Sequence, residues 1–230
     1  MMKPSEGQVN DDSNDTLIST KKKYVYILPQ SNLRWYTENG LFEKDLMEWS
    51  KQFSDKGKVM LDIGAHTGTY SISFAHLFKH IYSFEPQKMT YYALCGSIAL
   101  SGITNVTCHN FGLGETSQAG NQKLKIISVD GGGSGLHNTS NVIAEESIEI
   151  KTLDSLNLND IGFIKMDVEG NELQTLKGAV ETLKRCNYPR ILFECNPGSP
   201  FELDLFEFIQ GLGYRSIKIQ NCNNMFLASK

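Results

Sequence analysis

Three charged residues stand two apart at the end of an otherwise apolar run: Lys165, Asp167 and Glu169 in GFIKMDVEG. While the chain stays extended, alternate residues share a face, so an ammonium and one or two carboxylates would converge on one spot, with Glu169 already at the turn. Such charges are costly to bury without a use. A carboxylate there can take a proton from a nucleophile, and we expect Asp167 or Glu169 to be the proton acceptor, with Lys165 pairing with it or orienting it. The plainer alternative is a structural Lys165–Asp167 ion pair, with Glu169 bonding the N–H groups of the helix that follows; Glu172 equally suits the first turn of that helix. Glu194 and Asn196 end the next apolar run, RILFECNP. With Asp167 they could offer oxygens to Mg²⁺, but their spacing assigns no metal.

A second group lies upstream, in Asp62-Ile-Gly64-Ala-His66-Thr-Gly68. It ends an apolar run and opens into a helical stretch, a glycine-bearing turn that lets a ligand approach the backbone closely. Glu85 ends the following strand about 20 residues on, where a carboxylate in a doubly wound sheet can accept hydrogen bonds from both ribose hydroxyls of an adenosine. The glycines do not spell the dinucleotide fingerprint G-x-G-x-x-G, which disfavours a nicotinamide dehydrogenase. Asp62 would also repel a pyrophosphate, whereas it would suit the sulfonium or amino group of S-adenosyl-L-methionine (SAM), directly or through water; the plainer alternative is a buried carboxylate pairing with nearby backbone N–H groups.

These residues need a scaffold that gathers strand ends. From Lys58 onward, short apolar runs alternate with helical stretches, the pattern of βαβ units in a doubly wound, mostly parallel α/β sheet. Strands are expected over 59–64, 80–86, 106–114, 162–170 and 190–197, and helices over 69–78, 89–102, 172–185 and 201–213. YRSIKI and NMFLAS read as a closing hairpin. Residues 115–150 break the rhythm and read as a small β excursion with a mobile loop at Gly131–Gly135, which could serve as a lid. Ahead of the core, Tyr24–Leu28 is expected to be a strand and 41–53 a helix. Trp35 and Tyr36 are assigned to packing, although they could cover a cofactor or grip a sugar ring. Residues 1–20 are polar and should form a mobile tail, 21–57 a lead-in, and 58–230 the catalytic domain.

The 230 residues, 40% hydrophobic and 21% charged, suit one soluble domain. A net charge of −4 gives no footprint for a polyanion, so nucleic acid is a disfavoured partner. The five cysteines show no C-x-x-C pair and read as free thiols of a reducing compartment. With no signal-peptide core and no membrane-length apolar run, the chain is expected to be cytoplasmic. The sequons at Asn14, Asn105 and Asn138 are then incidental. The histidines show no metal spacing.

Leu61-Asp-Ile-Gly-Ala-His-Thr-Gly-Thr-Tyr-Ser71, Phe84-Glu-Pro86, and Ile164-Lys-Met-Asp-Val-Glu-Gly-Asn-Glu-Leu173 with Leu176-Lys-Gly-Ala179 together resemble the FkbM family of SAM-dependent methyltransferases. The resemblance runs from about Gly40 to the C-terminus, and the K-x-D-V-E-G-x-E-L block is its most specific part. His66 is a departure, because the family usually has Asn there. The resemblance implies a class I methyltransferase sheet in the order 3-2-1-4-5-7-6 and SAM as cofactor. It places Asp62, Gly64, His66, Gly68 and Tyr70 on the methionine side, Glu85 on the ribose and Asn110 near the adenine, although a polar strand end such as Asn110 is more often a turn residue. It also implies O-methylation of a hydroxyl on a sugar, glycan or secondary metabolite. Protein or RNA acceptors, or a non-catalytic module of the same fold, are the other readings.

Overall fold

The computed structural model describes residues 17–19, 24–128, 130–137, 140–198, 201–222 and 224–230. The chain opens with a two-stranded antiparallel ribbon, β1 (Leu17–Ser19) on β2 (Val25–Ile27). Of the expected tail, Leu17–Ser19 pairs its backbone with β2; residues 1–16 and 20 lie outside the described residues, as do Asn14 and Asn138. Two short helices follow. The first, α1 (Leu33–Asn39), buries only Tyr36 and so shows no apolar stripe in the sequence. The second, α2 (Lys44–Ser50), extends by a 3-10 turn to Phe53 and covers the expected helix.

The core then runs β3 (Val59–Ile63), α3 (Thr69–Phe74), β4 (His80–Phe84), α4 (Lys88–Leu100) and β5 (Val106–His109). The strand expected over 106–114 stops at His109. Beyond it, β6 (Gly112–Leu113) leaves for a separate three-stranded sheet with β7 (Gly120–Ile126) and β8 (Ala144–Lys151), in which β8 is central. This is the expected excursion.

Next come β9 (Ile161–Met166), α5 (Glu172–Lys177), α6 (Val180–Arg185), β10 (Arg190–Glu194), α7 (Glu202–Gly211), β11 (Arg215–Lys218) and β12 (Met225–Ser229). The single helix expected over 172–185 is thus two. At the break, a Cβ on Gly178 would lie 2.0 Å from the carbonyl oxygen of Gly114. The Asp154 carboxylate accepts the N–H groups of Glu181 and Thr182, giving α6 its own cap.

The main sheet has the order β5-β4-β3-β9-β10-β12-β11, and only β12 runs antiparallel to its neighbours. Its strands are apolar on both faces, as a sheet covered by helices on each side requires. Leu61, Ile63, Ile164, Met166, Ile191 and Phe193 pack with Leu173, Leu176, Leu183, Leu205 and Ile209 of α5, α6 and α7. Their sequence neighbours Met60, Phe163 and Leu192 turn to the other face, with Leu46, Met47, Tyr70 and Phe74 of α2 and α3. This period of two is what makes the fold doubly wound. All five cysteines are free. Among the described residues, no helix is long and apolar enough to cross a membrane.

Candidate active site

The C-terminal ends of β3, β4 and β9 open into a cavity of about 380 Å³, roofed by one face of the small sheet. That is where ligands sit in open α/β sheets. Gly64, in the turn after β3, is left-handed (φ 76°), and a Cβ there would lie 1.8 Å from the Asp167 carbonyl oxygen. Only glycine lets the ends of β3 and β9 come so close. The Gly64 and Ala65 N–H groups both donate to Phe84 O, tying the turn to β4.

Glu85 lines the cavity and is 7% exposed. Its Oε2 accepts the His66 N–H at 2.9 Å, and its Oε1 accepts from Gln87 N and Thr90 Oγ1. Burial raises its pKa against these bonds. His66, left-handed at φ 49°, also lines the cavity. Its Nε2 lies 2.7 Å from the Asp130 carbonyl oxygen, which can only accept, so this nitrogen carries a proton. The Asp130 carboxylate in turn accepts from Asn32 Nδ2 and Ser31 Oγ. The loop after β7 is thereby pinned to the turn after β3 and to the N-terminal segment.

Three of the seven expected cofactor contacts lie behind this wall. Asp62 is fully buried and does not line the cavity; its Oδ2 accepts the N–H and hydroxyl of Ser71, while Oδ1 has no partner. It anchors the start of α3. A Cβ on Gly68 (φ 93°) would lie 2.6 Å from Leu94 Cδ1, so this glycine serves the packing of α3 on α4. Asn110 donates to the carbonyls of Glu85 and Pro86 and holds the turn after β4 in place. Tyr70, by contrast, does line the cavity; it is 4% exposed and its Oη has no hydrogen-bond partner. Burial raises the phenol pKa well above the usual value, which keeps it a neutral donor.

Lys165, Asp167 and Glu169 all reach the cavity, as their spacing predicts. Lys165 Nζ lies 3.3 Å from both Asp167 Oδ2 and Gly64 O, and 5.3 Å from the Tyr70 ring centre. Burial works against its charge, but Asp167, Asp62 and Glu43 together outweigh it and raise its pKa. Glu169, left-handed at φ 52°, accepts the Gly133 N–H at 2.9 Å, and burial and Asp167 raise its pKa. Glu194 stands behind them at the end of β10, pushed up to about 8 by burial and by Asp167 and Glu169. Carboxylate oxygens of all three lie within 4.8 Å of one another. Groups this close disfavour one another's charge, which adds to burial in raising Glu169 and Glu194.

Asn196 does not offer its oxygen to this group. Its Nδ2 donates to Glu194 Oε2, and its Oδ1 accepts from Asn224, which corrects the Asp167–Glu194–Asn196 oxygen set weighed for Mg²⁺. Glu172 accepts the N–H groups of Val168 and Gly170 in the first turn of α5 and does not line the cavity. Sequence reasoning missed Glu43, Gln87, Asp130 and Ser134, which do line it. No local motif marks them; each is brought in by contacts between distant segments.

The family model for the methyltransferase FkbM domain matches residues 62–216, more than half of the chain. The chain belongs to the FkbM methyltransferase family. A curated relative of this FkbM domain, the hexuronic acid methyltransferase AglP of Haloferax volcanii, is 26% identical over 162 residues, which cover 68% of this chain and 63% of AglP. The chain thus spans less than two thirds of that relative's length.

Solved structures share the fold. An FkbM methyltransferase from Methylobacillus flagellatus superposes with a TM-score of 0.53 at 20% identity, covering 76% of this chain and 44% of that one. An rRNA methylase from Streptococcus thermophilus gives 0.52 at 14%, covering 82% and 96%. A Streptococcus mutans protein solved with S-adenosylhomocysteine gives 0.51 at 15%, covering 80% and 94%. In this FkbM domain the match begins at Asp62, so α1 and α2 stand outside it.

Proposed function

We propose that this FkbM domain O-methylates a hydroxyl of a carbohydrate with SAM as the methyl donor. The observation that carries the reading is one cavity with an anchored carboxylate, Glu85, on one wall and a lysine–carboxylate group, Lys165, Asp167 and Glu169, on another. The cavity fits the cofactor: its volume lies in the roughly 300–1,000 Å³ range of small-molecule sites. Gly64 leaves backbone open to a ligand, and Tyr70 Oη and Ser134 Oγ are buried polar atoms without partners on its wall.

When bound, SAM would supply a methyl group already activated on a sulfonium. Glu85 would hold the ribose hydroxyls, the turn at Gly64–His66 the methionine portion, and the apolar face of Leu113, Leu124, Ile148 and Ile150 the adenine. The chain's remaining tasks are to orient the acceptor and remove its proton. Asp167 or Glu169 takes the proton at a carboxylate oxygen, Glu194 behind them shares it, and Lys165 fixes the direction of Asp167. A sugar acceptor is supported by the likeness to a hexuronic acid methyltransferase and by the acidic walls, which suit an uncharged hydroxyl better than a polyanion.

Calorimetric titration with SAM and S-adenosylhomocysteine tests the cofactor, followed by methyl-transfer assays on glycosides and uronates. Micromolar binding with transfer to a sugar is the expected result. A folded chain that binds neither ligand would overturn the reading.

A further inference from the structure

The elements ahead of the family-matched region form one side of the cavity mouth. Tyr36 of α1, with Phe42 and Glu43 in the turn before α2, faces the same void as Tyr70, Lys165 and Asp167. Trp35 and Phe42 stack with ring centres 3.9 Å apart and planes 19° from parallel. The buried Tyr36 meets both edge-on, at 5.7 and 4.7 Å, and so fixes the pair from behind. Even so, Trp35 is 39% and Phe42 40% exposed. Two large rings held rigid yet left in water are a poor solution for packing and a good one for binding, because little side-chain entropy remains to be lost when a ligand lands on them.

Polar groups flank the rings. Tyr70 Oη is buried with no hydrogen bond of good geometry, and its neighbour is the Glu43 carboxylate, whose charge and side-chain contact add to burial in raising the phenol's pKa. Glu43 occupies a left-handed conformation (φ 54°), an unfavourable geometry for a residue with a side chain.

The geometry points to this wall as the acceptor subsite, taking a pyranose ring whose C–H face lies on Phe42, which Trp35 backs by stacking, while its hydroxyls meet the Tyr70–Glu43 pair. The inference rests on reading the cavity as the site of methyl transfer. A sugar presents one apolar C–H face and a rim of hydroxyls, which matches a flat aromatic surface edged by a phenol and a carboxylate. An acyl chain would bring no hydrogen bond to the Tyr70–Glu43 pair, and a polyanion would meet Glu43, Asp167 and Glu169. Acceptor choice would then reside in a segment outside the matched core.

Trp35 and Trp49 are the chain's two tryptophans, and Trp49 packs against Phe53. In a Trp49→Phe variant, fluorescence therefore reports Trp35 alone. With S-adenosylhomocysteine present, titration of that variant with methyl β-D-glucopyranoside or methyl β-D-galactopyranoside is expected to shift the emission saturably, and adding Phe42→Ala to remove the shift. In steady-state assays on the same sugars, Trp35→Ala is expected to lose about tenfold in kcat/KM, mainly through KM, with SAM binding intact by calorimetry. If no sugar moves the emission and Trp35→Ala keeps the wild-type KM, the subsite is overturned while methyl transfer stands. Transfer confined to acceptors other than carbohydrates also overturns it. Failure of the wild-type chain to bind SAM is a separate result, which removes the cavity reading and this inference with it.

Discussion

At Glu85, both carboxylate oxygens are already aligned by donors from His66, Gln87 and Thr90. In the proposed reading Glu85 would accept from the ribose, and these bonds would set its orientation before a ligand arrives, which is preorganisation in its simplest form. Glu85→Ala is expected to weaken SAM binding by about 2 kcal/mol, roughly 30-fold, the loss of two hydrogen bonds to a charged group in part offset by water; calorimetry reads it directly. Asp167→Asn should leave that affinity near wild type and lower turnover by about 10²-fold or more in a methyl-transfer assay. An unchanged rate would remove Asp167 from the reaction. The charged residues were legible at this scale because spacing by two on a strand fixes a shared face, and Lys165 and Asp167 obey it. Asp62, Gly68 and Asn110 do not line the cavity, because a motif gives order along the chain and not which side of a wall a side chain takes. Asp62 belongs to the α3 side of β3, where Ser71 claims it.

Among the elements, the turns carry the most constraint. Gly64→Ala would put a methyl group on the Asp167 carbonyl in a left-handed conformation. A loss of roughly 2–5 kcal/mol is expected from overpacking and strain together, visible as a lower urea midpoint. Asp154→Ala should cost about 1 kcal/mol by uncapping α6, measured in the same way. The parallel strands were legible as apolar runs near their observed positions. The division of 172–185 into α5 and α6 was not, because it comes from the close approach of Gly178 to Gly114, a contact between segments far apart in the chain. The departure of Gly112–Leu113 from the main sheet was hidden in the same way: its partner, β8, lies beyond a loop.

Across the whole molecule, buried carboxyls make stability depend on pH. Glu194 is pushed from the usual value near 4.5 up to about 8, and Glu172 to about 7, both chiefly by burial. Between those limits the folded state holds protons that the unfolded chain has released, so stability falls as pH rises. Their contribution is complete below about 4.5 and gone above the folded values. The urea midpoint is expected to decline from pH 5 to pH 8.5, and less steeply in Glu194→Gln. A midpoint that rises over this range would contradict the burial of these groups.

Order in space and order in time part company at β12. This strand is made after every other strand described, yet it fills an interior slot, between β10 and β11. During synthesis, β10 must wait with one edge unpaired until Met225–Ser229 has emerged, even though β3, β4, β5 and β9 can already pair. An open edge of this kind is a template for pairing with another chain. That exposure to aggregation therefore lasts until Met225–Ser229, the latest of the described strands, has emerged and closed the edge.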